Sequence, residues 1–212
     1  MNFLSVCNPN LEFLYCVARW EGSAHDGKVL RDALARPNGL RVLKGNYYLV
    51  DAGYSNCEGF LAPFRGQKYH LKEWGGGNMP LTLEEYFNMK HAIARNVIER
   101  IFGILKMRWA ILRETSWFSP EVVTQLVNAC CLMHNFIKLE QGVDTFEWDY
   151  RDKEPEQHPS TIVEKIELIS GVHPSQDWTQ FRSFLLLQFL CTVLVCKNLP
   201  DVKCLDLLLS LH

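Results

Sequence analysis

Two carboxylates stand where residue type and spacing could support chemistry. Asp51 follows the apolar run Tyr47-Tyr48-Leu49-Val50, and the carboxyl end of a buried strand is a usual place for a functional group in an α/β sheet. Glu99 lies in a helical pattern, with Arg95 and Gly103 one turn away on either side and Lys106 two turns on. These four share a helix face, while Val97, Ile98, Ile101, Phe102 and Leu105 spread over the opposite side. Hard divalent cations prefer oxygen donors. A carboxylate between two cations, with glycine opening space beside it, suits a metal next to a phosphate. A solvated helix face meets the same spacing, its Arg95–Glu99 pair contributing roughly 0.2–0.5 kcal/mol. Spacing alone leaves both readings open.

Other polar residues suggest less. His134 lies on an apolar helical stretch between Met133 and Asn135 and reads as a hydrogen-bonded core histidine. Arg65, Lys68 and His70 are candidates for phosphate, and Trp74 beside the Gly75-Gly76-Gly77 loop is a candidate for DNA, with loop packing the simpler reading. The 8 cysteines form no CxxC pair and no zinc spacing. Adjacent Cys130 and Cys131 read as small core residues.

The formal net charge of −2 argues against a dedicated nucleic-acid binder, yet it conceals a split. Between residues 88 and 113, Lys90, Arg95, Arg100, Lys106, Arg108 and Arg113 face the single acid Glu99. Between residues 144 and 168 the acids outnumber Arg151, Lys153 and Lys165. A basic segment beside an acidic one says more than their sum.

These residues need elements to hold them. Residues 2–6 and 12–18 are apolar runs separated by Asn8-Pro9-Asn10, the pattern of a β-hairpin. A short helix is expected over Val29–Ala35 with Asp26 as its cap. The continuous apolarity of Tyr47–Val50 suits a central strand buried on both faces. Residues 57–80 read as an irregular, functional loop. Long helices are expected over Leu83–Ile111 and Glu121–Leu139, and a short helix-like stretch over residues 164–180 around Trp178. Beyond Gly142 the chain reads as an acidic linker, and then as a Leu/Cys-rich tail with no evident partner. The apolar residues 184–195 fall short of the roughly 20 that a membrane-spanning helix needs, so no membrane is expected. The N-terminus has no signal-peptide pattern, and unpaired thiols suit the cytosol or nucleus.

Four strings now carry a resemblance: Tyr47-Tyr48-Leu49-Val50-Asp51-Ala52-Gly53-Tyr54, residues 60–71 (Phe-Leu-Ala-Pro-Phe-Arg-Gly-Gln-Lys-Tyr-His-Leu), Asn96-Val97-Ile98-Glu99-Arg100-Ile101-Phe102-Gly103-Ile104-Leu105-Lys106, and Ala129-Cys130-Cys131-Leu132-Met133-His134-Asn135-Phe136-Ile137. In order and at plausible spacing, they resemble the DDE superfamily endonuclease domain of PIF/Harbinger transposases and their host-encoded relatives. Trp20-Glu21-Gly22-Ser23-Ala24-His25-Asp26 resembles the plant members.

The resemblance implies an α/β, RNase H-like mixed sheet flanked by helices, incomplete over residues 1–142, with residues 143–212 as linker and irregular tail. It implies a metal-dependent DNA endonuclease whose acid triad holds two divalent ions, Mg²⁺ or Mn²⁺. Asp51 matches the second acid and Glu99 the third, so their carboxylates are expected to approach one another. The first acid belongs to an Asp-Gly-Thr-like string on a preceding strand, and no such string stands in this sequence. Asp26 matches a different position. A polypeptide of these residues is therefore expected not to cut DNA. The second reading is a non-enzymatic remnant that binds DNA or docks onto a protein. DNA contact is assigned to Lys90, Arg95, Arg100, Lys106 and Arg108, weakly and without sequence preference. A Myb/SANT-like partner protein and a nuclear location, with cytoplasm as a further site, are implied by the resemblance alone.

Overall fold

The computed structural model describes residues 2–20, 25–113, 118–141, 146, 168–169 and 171–196. The chain forms two compact units, Met1–Ala33 with Asn96–Glu154 and Leu34–Arg95 with Pro155–His212.

In the first unit, β1 (Asn2–Cys7) and β2 (Phe13–Trp20) form the expected antiparallel ribbon, with Leu4 opposite Val17, Ser5 opposite Cys16 and Val6 opposite Tyr15. Asn8 ties the turn. Its side chain accepts from Glu12 N–H at 3.0 Å and donates to the Glu12 carboxylate at 2.6 Å. Leu11 adopts φ 61°, a left-handed conformation costing roughly 1–2 kcal/mol for a non-glycine residue. Burial of its side chain offsets that cost.

Helix α1 (Asp26–Ala35) buries Val29, Leu30 and Ala33. Asp26 is not the cap expected. It is the first helical residue, and the His25 carbonyl accepts from the amides of Lys28 and Val29. An acid in the first turn still meets the positive end of the helix dipole.

Helix α2 (Leu83–Arg108) and helix α3 (Pro120–Gln141) follow the expected periodicity, and Ala110–Leu112 forms a separate 3-10 turn. The core of the first unit joins Ile101, Ile104 and Leu105 of α2 to Cys130 and Cys131 of α3, with Leu11 and Phe13 of the ribbon. Two polar side chains of α3 reach the ribbon backbone. His134, fully buried, donates from Nε2 to the Leu11 carbonyl at 2.8 Å. Asn135 accepts from Phe13 N–H at 2.9 Å and donates to Phe13 C=O at 2.7 Å. By length and composition α3 would also cross a membrane, but these contacts make it a ribbon-packing helix.

The second unit departs from expectation at its strand. The regular part of Tyr47–Val50 is only β3 (Tyr48–Leu49), half-buried, paired in parallel with β4 (Phe60–Leu61). Tyr48 and Val50 donate to the carbonyls of Gly59 and Leu61 at 2.9 and 3.0 Å. The described residues therefore hold two small two-stranded sheets, not one mixed sheet. Gly59 permits the close approach here. It has φ +78°, and a Cβ would come within 2.5 Å of Ile169 Cδ1 and 2.9 Å of Val42 Cγ1.

The irregular tail is corrected as well. Helix α4 (Gln176–Cys196) starts on Ser175, whose hydroxyl accepts from Trp178 N–H at 3.0 Å. Its Leu185 and Leu186 complete a core with Leu61 and Phe87, flanked by Tyr47, Leu49, Phe64 and Phe181. Trp178 stacks on Phe181 at 4.6 Å and donates from Nε1 to the Phe60 carbonyl at 3.2 Å. The expected acidic linker over residues 143–167, Phe146 apart, and the stretch after residue 196 lie outside the described residues.

Two consequences can be measured. Asn135→Ala leaves the Phe13 amide and carbonyl without their partner, and should lower the urea unfolding free energy by roughly 1–3 kcal/mol. Deletion after Trp178 removes Phe181, Leu185 and Leu186 from the second core and should decrease solubility and thermal stability. A truncated chain as soluble and stable as the full one would show that α4 is dispensable.

Candidate functional site

Asp51 comes directly out of β3 into a tight turn. Its Oδ1 accepts from Gly53 N–H at 2.9 Å, and its carbonyl accepts from Tyr54 N–H at 3.2 Å. The residue is half-buried. Hydrogen bonding of one carboxylate oxygen to its own turn restrains the side chain.

Helix α2 backs this turn with residues that the sequence reading did not single out. Asn88 is fully buried. Its amide accepts from Phe64 N–H at 2.8 Å and donates to the carbonyls of Phe64 and Lys68 at 2.9 and 3.0 Å. One turn on, buried His91 donates from Nε2 to the Leu61 carbonyl on β4 at 3.0 Å. The Asn88-x-x-His91 spacing, which places both on one helix face, is the signal that could have identified them. Burial is the largest influence on His91 and pushes its pKa down to about 4; the Leu61 carbonyl and Asp51 oppose that shift, while Arg95 and Arg182 reinforce it. His91 is therefore a neutral packing group at neutral pH, with Asp51, Arg95 and Arg182 within electrostatic reach.

Arg182 of α4 is the third residue missed. Its Nη1 donates to the carbonyls of Ala62 and Pro63 at 3.2 and 3.1 Å, and its guanidinium lies over the Phe64 ring at 3.9 Å. Arg65, exposed, donates from Nη2 to the carbonyl of Tyr54 at 3.1 Å. Lys68 instead sits over the Trp74 ring at 5.9 Å, and His70 lies against Tyr69.

Glu99 is exposed on α2 and belongs to the first unit, whereas Asp51 belongs to the second. Among the described residues, no three His, Cys, Asp or Glu side chains gather as a metal cage. Among the described residues, the donors gathered in one place are thus fewer than a two-ion site requires. The basic residues assigned to DNA divide similarly. Lys90 and Arg95 lie in the second unit, and Arg100, Lys106 and Arg108 in the first. Lys106 is exposed. Lys90 sits over Tyr86 at 5.6 Å, and Arg108 over Trp109 and Phe146 at 5.6 and 5.3 Å. Arg100 is half-buried, its Nε without a hydrogen-bond partner.

Cysteine chemistry finds little support. Burial pushes the Cys7 and Cys57 thiols up to about 11. A hydrogen bond to Cys131, followed by burial, raises Cys16. Thiols held protonated are poor nucleophiles.

A half-buried acid at a strand end and an exposed acid on helix α2 are thus both present in the folded chain, in different units. Comparison with known families decides what they belong to: residues 1–135 match the model of the DDE superfamily endonuclease. The chain belongs to this family. "Putative nuclease HARBI1" of Homo sapiens is 30% identical over 173 residues, covering 79% of this chain and 45% of that protein. The same-named protein of Bos taurus matches to the same extent. "Protein ALP1-like" of Arabidopsis thaliana is 26% identical over 152 residues, covering 65% of this chain and 35% of that protein. The chain spans less than half the length of these relatives. No solved structure matches it. The DDE-family match includes Asp51, Asn88, His91 and Glu99 and stops short of Arg182.

The buried state of His91 sets a pH dependence. Its folded pKa lies below the unfolded value of about 6.5, so the unfolded chain binds more protons between the two values and stability falls as pH drops through that window. In the metal-free protein, imidazole NMR should show His91 neutral at pH 5, and His91→Gln should flatten stability loss between about pH 6.5 and 4. An imidazole titrating at its ordinary value would contradict this placement.

Proposed function

We propose that this transposase-derived, nuclease-like domain provides two acids, Asp51 and Glu99, of a divalent-metal-dependent site for phosphodiester cleavage in DNA. The observation that carries this reading is the Asp51 turn. A carboxylate held at a strand end by Gly53 N–H, within the family match, is backed by the helix that bears Glu99 two turns beyond His91. Mg²⁺ or Mn²⁺ suits acids of this kind. An RNase H-like fold for the whole domain is part of this reading. Lys90, Arg95, Arg100, Lys106 and Arg108 would meet DNA phosphates without reading bases.

With two acids, a polypeptide of these 212 residues is proposed to bind metal weakly and to leave DNA uncut. The alternative role is that of a non-enzymatic DNA-binding or protein-docking remnant. A Myb/SANT-like partner and residence in the nucleus remain part of the proposal.

Calorimetry with Mn²⁺ should register weak binding that Asp51→Asn largely removes, because a ligand loses its charge. Supercoiled plasmid should remain intact with Mg²⁺ or Mn²⁺. Nicking that Glu99→Gln abolishes would show that the present acids suffice. Tight metal binding that survives Asp51→Asn would remove Asp51 from the site.

A further inference from the structure

We propose that Arg65 and Arg182 form a phosphate-binding fork beside the Asp51 turn, made in part by a helix beyond the family match. The location rests on the reading of the Asp51 region as a nucleic-acid site, whereas the anion chemistry rests on the two arginines. Both guanidinium groups are fixed by main-chain carbonyls rather than by acids. Arg182 uses Nη1 on Ala62 and Pro63 and lies over the Phe64 ring. Arg65, the residue after Phe64, uses Nη2 on Tyr54. Tyr54 is itself bonded to the Asp51 carbonyl, so the fork and the acid share one turn.

Each guanidinium has five N–H donors, and only one nitrogen of each is engaged. Among the described residues no carboxylate pairs with either. Burial holds the Arg182 pKa below its ordinary range, and the Arg65 charge lowers it further. Arg182 attaches to the main chain at Ala62 and Pro63 and covers Phe64, the residue before Arg65, so the two charges are neighbours, and an anion placed between them relieves their repulsion. Rigid, planar forks of this kind match the oxygens of a phosphate. The ligand is a phosphate group, either within a nucleic-acid strand or free in solution.

The test uses the full chain with EDTA present, so that metal held by Asp51 or Glu99 contributes nothing. Binding of a fluorescein-labelled duplex oligonucleotide is followed by anisotropy across a salt series. Arg65→Gln and Arg182→Gln should each weaken binding and lower the salt slope by about 1, the loss expected for one phosphate contact. Arg182→Lys should retain part of the affinity, because it keeps the charge and loses the fork. If Arg182→Gln unfolds, as circular dichroism would reveal, exposed Arg65→Gln decides the matter. Competition by inorganic pyrophosphate that Arg65→Gln removes would identify a site open to free phosphate. Arg65-dependent DNA binding that pyrophosphate leaves intact would identify the strand's phosphodiester. Unchanged affinity and slope in Arg65→Gln, or no DNA binding by the unmodified chain, overturns the fork. The Asp51 reading is judged separately, by its Mn²⁺ calorimetry.

Discussion

Short strands leave main-chain groups that a wider sheet would satisfy, and in this protein helix-borne side chains satisfy them. The arrangement occurs in both units. In the first, His134 donates to the Leu11 carbonyl and Asn135 closes on both main-chain groups of Phe13. In the second, His91 donates to the Leu61 carbonyl and Asn88 closes on both main-chain groups of Phe64. An asparagine amide offers a donor and an acceptor at a spacing close to that of a peptide, so it can stand in for a neighbouring strand. Each such bond contributes about 1 kcal/mol net, but a buried amide left without it costs roughly 1–3 kcal/mol. The apolar cores can close only where these groups are met.

This constraint also sets the roles of the two buried histidines. His134 and His91 are both buried imidazoles, and each spends Nε2–H on a carbonyl. Burial keeps His91 neutral at physiological pH despite the nearby Asp51. A neutral, anchored imidazole is a poor proton shuttle and a good strut. Asp51 is half-buried and both Glu99 and Arg65 are exposed, so these side chains meet solvent where the two histidines do not.

Helix α4 alters the view of the chain's last third. Read by composition, its Leu- and Cys-rich text has no amphipathic stripe and no evident partner. In the folded chain Phe181, Leu185 and Leu186 fill the core around Leu61 and Phe87, and Trp178 and Arg182 cap the carbonyls of Phe60, Ala62 and Pro63. The segment that follows Asp51 is thereby held from behind by residues more than 100 positions away, the Arg182–Pro63 pair being separated by 119. A segment outside the family match contributes to the support of a residue inside it.

The sequence by itself determined what depends on neighbours in the chain. The hairpin around Asn8, the helical periods of α2 and α3, the strand-then-turn at Asp51 and the four family strings are all local patterns, repeated every two or three to four residues. It overestimated β3, because a fully apolar run suits a buried strand whether or not partners exist to extend its ladder. Only the tertiary structure decided which side chains stand behind Asp51. Asn88, His91 and Arg182 meet their carbonyls across separations of 24, 30 and 119 residues, and no periodicity encodes such pairings. The types of residue able to do chemistry were legible because type is written in the chain. Their roles were not, because a histidine becomes a strut, and an arginine a clamp, only through the burial and geometry that folding imposes.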